Sequence, residues 1–125
     1  MGVTKNIISA GNGTLFPKNG DEVSMEYTGW LFDSSAADNK GKQFDSSVGR
    51  GDLRTQIGTG RVIKGWDEGI LGNDSTGAMS LGEKATLTIT PDFGYGPRGF
   101  PGHIPANATL VFDVELKAIN SNKSG

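Results

Sequence analysis

Cysteine is missing altogether from the 125 residues, and histidine is represented by His103 alone. The first absence excludes disulfides, thiolate metal sites and a cysteine nucleophile. The second means that neither a multi-histidine metal site nor a Ser-His-Asp triad with a spare base is easily built, and His103 reads as a loop residue. Neither sign of charge dominates: 12 Lys and Arg stand against 14 Asp and Glu, giving a net charge of −2 and a pI near 5.3. With no basic cluster there is no electrostatic footprint for nucleic acid or an anionic membrane. No apolar run approaches the roughly 18 residues that cross a bilayer, and the opening MGVTKNIISAGNG is too weakly apolar to read as a secretory signal. The expectation is a soluble cytoplasmic protein.

Glycine is what the chain has in excess, 20 residues scattered without period. Such a distribution reads as turns between many short strands. The length suits one domain, residues 1–125, able to bury a core without staples. ATLVFDVELKAI, residues 108–119, sets Leu110, Phe112, Val114 and Leu116 against Val111, Asp113, Glu115 and Lys117, a period of two that predicts a strand with one face on the core and one in water. EKATLTIT, residues 83–90, repeats it with Ala85, Leu87 and Ile89 inward, and DEVSMEYTGWL, residues 21–31, with Val23, Met25, Tyr27 and Leu31 inward. Three such strands suggest an antiparallel sheet with one wet face.

Helical spacing occurs once, in RVIKGWDEGIL, residues 61–71, where Ile63, Trp66 and Ile70 fall on one side. Gly65 and Gly69 each cost such a helix about 1 kcal/mol relative to Ala, so packing against the sheet must hold it. The preceding glycines, in GTGRVI, invite a phosphate-loop reading, but Ile63 stands where a dinucleotide fingerprint needs its third glycine and no GK[ST] follows. The alternative is that the glycines around Trp66 leave its indole uncrowded. Asp67 and Glu68 read as a solvated face. Asp33 to Gln43 lacks the ligand order of a calcium loop. No metal or cofactor is therefore expected. Residues 33–42 and 72–77 read as polar surface excursions, and Trp30 as a plain core residue. PDFGYGPRGFPGHIP, residues 91–105, holds four of the five prolines and two of the six phenylalanines, a rigid aromatic loop suited to binding.

YTGWL, GKQFDSS, VIKGWDEG, MSLGEKATLTITPDFGYG and GFPGHIPANATLVFDVEL, in this order along residues 27–116, resemble the FKBP family of peptidyl-prolyl cis-trans isomerases, with the similarity running over about residues 11–119. The resemblance implies an α+β fold, a five- to six-stranded antiparallel half-open β-sheet wrapped around one short α-helix. It implies that Trp66 floors an apolar pocket walled by Tyr27, Phe44, Val62, Ile63, Tyr95, Ile104 and Phe112, with polar contacts from Asp45, the Tyr95 hydroxyl and the N–H of Ile63. Asp45 is expected to accept hydrogen bonds from Tyr27 and Arg50 and to orient ligand. The expected catalytic set is Tyr27, Phe44, Asp45, Ile63, Trp66, Tyr95 and Phe112; Arg50, Leu53, Arg61, Val62, Phe100, His103 and Ile104 complete the ligand-binding set.

The implied partners are X-Pro peptides and proteins and the macrolides tacrolimus and rapamycin, with a drug-dependent calcineurin or TOR kinase complex further removed, because the loops that would form it differ here. A monomer is expected. Leu53 stands where close relatives carry an aromatic wall, and two segments, about 34–40 and 71–77, resemble insertions. The alternative function is a binding module that uses the same pocket to hold a partner protein without useful turnover.

Overall fold

The three strongly alternating segments form the centre of a seven-stranded antiparallel sheet. The computed structural model describes residues 2–73 and 76–123, and its strands are β1 (Val3–Ser9), β2 (Glu22–Phe32), β3 (Lys40–Ser46), β4 (Leu53–Gln56), β5 (Lys84–Ile89), β6 (Leu110–Ile119) and β7 (Asn122–Lys123). Their order is β1-β5-β6-β2-β3, with β4 also on β2 and β7 on β6. The count exceeds the five to six that the resemblance implies, and the shortest strands are β4 and β7, with four and two residues.

β2 carries two partners in succession along one edge. Residues 22–25 pair with β4, and residues 28–32 pair with β3. In the gap between them Ser47, 5% exposed, takes the place of a strand: its N–H donates to the Tyr27 carbonyl at 2.9 Å and its Oγ accepts from the Tyr27 N–H at 2.8 Å. This satisfies the backbone that sheet pairing leaves open and fixes where Tyr27 projects.

The single α-helix among the described residues, α1 (Lys64–Leu71), packs Trp66 and Ile70 into the core formed by the inner face of the sheet. It starts three residues later than the expected residue 61, since Ile63 is extended at φ −59° and ψ 150° and no side chain caps the turn. The glycines in α1 face the sheet. A Cβ on Gly65 would stand 2.6–2.7 Å from Ile89, and one on Gly69 would stand 2.9–3.0 Å from the methyls of Leu87. They let the helix backbone settle onto β5, and this close approach buries Trp66 and Ile70.

The outer face differs from the expected wet face at Val111, which is 1% exposed. Val111 pairs across to Trp30 on one side and Thr88 on the other. Trp30 is half-buried on this same face and does not belong to the core. Lys40, at the end of the first inserted segment, sets its Nζ 4.6 Å from the Trp30 ring centroid and 2.8 Å from Asp113 Oδ2, so that segment docks onto the sheet. Of the second, residues 74 and 75 lie outside the described residues; Gly77 at its end accepts Lys5 Nζ at 2.6 Å. Lys5 also lies 3.2 Å from Glu83 Oε2, and the side chains of both are 6% exposed.

Candidate functional site

Trp66 occupies the first turn of α1, its N–H donating to the Ile63 carbonyl at 2.9 Å. The indole is 3% exposed. It stands edge-to-face with Tyr27 of β2 at 5.0 Å and 78°, and with Phe112 of β6 at 5.4 Å and 86°. Phe44 of β3 completes the box, 5.5 Å from Phe112 at 88°. These are the preferred geometries for quadrupolar rings. Gly29 makes the Phe44–Phe112 pair possible: a Cβ there would lie 2.7 Å from Phe112 and 2.8 Å from Phe44. The Trp66 Nε1–H is buried with no hydrogen-bond acceptor among the described residues, the kind of unsatisfied donor that native structures rarely retain.

Above this box opens a cavity of about 460 Å³. Its lining brings together Tyr27, Phe44, Asp45, Leu53, Arg61, Val62, Ile63, Trp66, Tyr95 and Phe112, and adds Gly60. A neighbouring recess of about 210 Å³ shares Phe44, Asp45 and Tyr95 and is closed by Phe100, His103 and Ile104. The two are lobes of one groove. Of the residues expected at the site only Arg50 lines neither lobe; it donates to Asp45, which lines both. A larger depression of about 580 Å³ lies elsewhere, between Asp52, Arg54, Lys117 and Lys123, and no aromatic residue lines it.

The polar edge of the groove is organised around Asp45. Its Oδ2 accepts from the Tyr27 hydroxyl at 2.8 Å, and its Oδ1 accepts from Arg50 Nη2 at 2.7 Å and from the Ser46 N–H at 2.8 Å. Both oxygens are engaged as acceptors. Burial, and then the carboxylate, push the Tyr27 hydroxyl up to about 12. Burial also raises Tyr95, with Asp45 adding to it. Both phenols thus keep their protons at neutral pH and serve as donors.

The loop over residues 91–105 supplies the far wall. Its tip closes through Phe100 N–H to Ile104 O and Ile104 N–H to Phe100 O, both at 2.8 Å. Phe100, half-exposed, packs edge-on to Tyr95 at 5.9 Å and stands 5.5 Å from His103.

Three supporting residues escaped the sequence reading. Ser47 and Gly29 act through backbone and packing and leave no periodic signal. Asp67, read as a solvated carboxylate, instead accepts from the N–H of Gly58 at 2.7 Å and of Gly60 at 3.2 Å. Glu68 accepts from Asn73 Nδ2 at 2.7 Å.

Residues 13–117 match the family model described as FKBP-type peptidyl-prolyl cis-trans isomerase. The chain is 60% identical over 119 residues to "FK506-binding protein 1" of Gibberella zeae, covering 95% of this chain and 99% of the relative. It is 58% identical over 125 residues to "Peptidyl-prolyl cis-trans isomerase" of Schizosaccharomyces pombe, covering 99% and 100%. Among solved structures, that titled "Crystal structure of AtFKBP13" superposes with a TM-score of 0.83 at 36% identity, over 94% of this chain and 92% of the other.

Proposed function

The chain belongs to the FKBP-type peptidyl-prolyl cis-trans isomerase family, and on that premise we propose that the groove above Trp66 is where it turns X-Pro bonds. The observation that carries this reading is a cavity of about 460 Å³ whose lining holds five aromatic rings, the buried indole of Trp66 among them.

Such a cavity suits the chemistry. A peptide C–N bond resists rotation by about 18–20 kcal/mol, and X-Pro isomerisation unaided takes tens to hundreds of seconds. At the twisted midpoint resonance is lost, and the amide is less polar there than in either planar form. A dry aromatic surround therefore favours the twisted state over both ground states, which is transition-state stabilisation by differential binding. A thousandfold acceleration needs about 4 kcal/mol. Apolar packing, desolvation and a few hydrogen bonds reach that figure without a nucleophile.

In this reading the proline ring rests on Trp66, the Ile63 N–H and the Tyr95 hydroxyl grip the substrate carbonyls, and Asp45, tied by Tyr27 and Arg50, orients the ligand. The residue before proline lies against Phe44 and Leu53. The same groove accepts the macrolides tacrolimus and rapamycin.

The test is a protease-free isomerisation assay on a tetrapeptide series. Leu-Pro and Phe-Pro peptides are expected to exceed Glu-Pro in kcat/KM by about tenfold, the equivalent of about 1.4 kcal/mol of apolar contact. Equal rates across the series would defeat the assignment of the Phe44–Leu53 wall.

A further inference from the structure

The segment that links β4 to α1 forms one wall of the groove, and it turns through Gly58 and Gly60 at φ +82° and +78°. The N–H groups of both glycines donate to one side chain: Asp67 Oδ1 accepts from Gly58 at 2.7 Å and Asp67 Oδ2 from Gly60 at 3.2 Å. The main-chain N–H of Asp67 lies 3.3 Å from the Ile63 carbonyl, beside the stronger bond from Trp66 at 2.9 Å. A single residue on the first turn of the helix thus clasps the loop near both of its ends. Arg61, Val62 and Ile63, all lining the cavity, are held between those ends. A carboxylate suits this place, since bonds from backbone N–H to an ionised acceptor are roughly twice as strong as neutral ones and the first turn of a helix favours negative charge.

We propose that Asp67 is a positioning residue for isomerisation: by holding Gly58 and Gly60 it keeps the wall at residues 61–63, and with it the Ile63 N–H, in the conformation that receives substrate. The proposal rests on the reading of the groove as the X-Pro site. Asp67 touches no substrate. It sets the fraction of molecules whose wall is closed before binding. Apparent affinity falls in proportion to that fraction, whereas turnover does not, because bound substrate closes the wall again.

The experiment compares the whole chain with Asp67→Asn and Asp67→Glu, following turnover of a Leu-Pro peptide, thermal midpoint, and NMR hydrogen exchange of the Gly58 and Gly60 amides without substrate. For Asp67→Asn the expected result is a KM about three- to tenfold higher with kcat within about twofold. Both amides should exchange faster by a similar factor. Asp67→Glu, which retains the carboxylate, should return KM to within about threefold of the native value. In the native chain alone both amides should be protected, so exchange at the open-chain rate overturns the proposal without any variant. An unchanged KM in Asp67→Asn also overturns it, whatever happens to the thermal midpoint, and leaves Asp67 a structural residue only. If the native chain turns over no X-Pro peptide, the site reading falls and takes the proposal with it; KM-neutral variants of an active native chain remove the proposal alone.

Discussion

The two tryptophans flank one sheet from opposite faces, and the more buried of them lines the roomier cavity, about 460 Å³ beside Trp66 against about 170 Å³ beside Trp30. Trp66 is 3% exposed, yet the rings around it meet it edge to face and leave it lining a cavity. Trp30 is half-buried, and Lys40 sits over its ring and is itself tied to Asp113. Burial therefore does not separate the floor of the proposed site from a residue on the outer face. What separates them is the company each keeps: charged Glu26, Lys84, Asp113 and Glu115 line the recess at Trp30, with Lys40 over its ring, whereas the rings of Tyr27, Phe44, Tyr95 and Phe112 line the cavity at Trp66.

The comparison breaks most easily at the helix. Gly65→Ala would drive a Cβ into Ile89 at 2.6–2.7 Å. Although alanine is the better helix former by about 1 kcal/mol, overpacking of this kind costs about 1–3 kcal/mol. We expect net destabilisation in urea together with reduced turnover, because the helix that lifts away carries Trp66. Gly69→Ala, whose new contact is with the methyls of Leu87, should cost less. A neutral Gly65→Ala would show that contact with β5 does not set the position of the floor.

The polar edge of the inner site gives a smaller effect with a defined sign. Burial, then Asp45, raise Tyr27 to about 12 from 10.0. Between those values the unfolded chain releases the proton that the folded chain keeps. The contribution is therefore fully present below about pH 10 and is lost as pH rises toward 12. Tyr27→Phe should lower stability near neutrality by about 1 kcal/mol through the lost bond to Asp45. It should also abolish this group's share of the alkaline decline. Urea titrations at neutral pH and at pH 11 on both proteins measure it, and an identical alkaline decline in the two would contradict the assignment.

The outer face should yield least. Lys40→Ala removes one partly buried ion pair and one cation–ring contact, together about 1 kcal/mol. KM for a Leu-Pro peptide should not move. A changed KM would mean that the two faces are coupled through β2, and the contrast drawn between the tryptophans would need revision.

Much of this architecture is legible in the chain because period-two alternation reports directly which side of a strand faces the core. That is why β2, β5 and β6 emerge from their apolar residues alone. Alternation says nothing about what covers the other side, so Val111 reads as exposed although Trp30 and Thr88 flank it. The aromatic floor and its walls follow from family resemblance carried by ordered motifs. The reason for Gly65 and Gly69 does not follow, because it depends on how closely a helix approaches a strand some 20 residues away, where Ile89 and Leu87 lie. Asp67 and Ser47 are hidden for a related reason. Each bonds to backbone whose position is fixed only once a loop has folded, and no residue pattern marks such a partner in advance.

The central claim is that the cavity beside Trp66, and no other aromatic surface of the molecule, lowers the barrier to rotation about X-Pro. Exchange NMR on a Leu-Pro peptide, with Trp66→Leu and Trp30→Leu each confirmed as folded, tests it most directly. The account predicts that Trp66→Leu loses at least about tenfold in kcat/KM, or about 1.4 kcal/mol of transition-state stabilisation, while Trp30→Leu stays within about twofold of the native chain. Equal losses in the two variants, or full catalysis by Trp66→Leu, would contradict it.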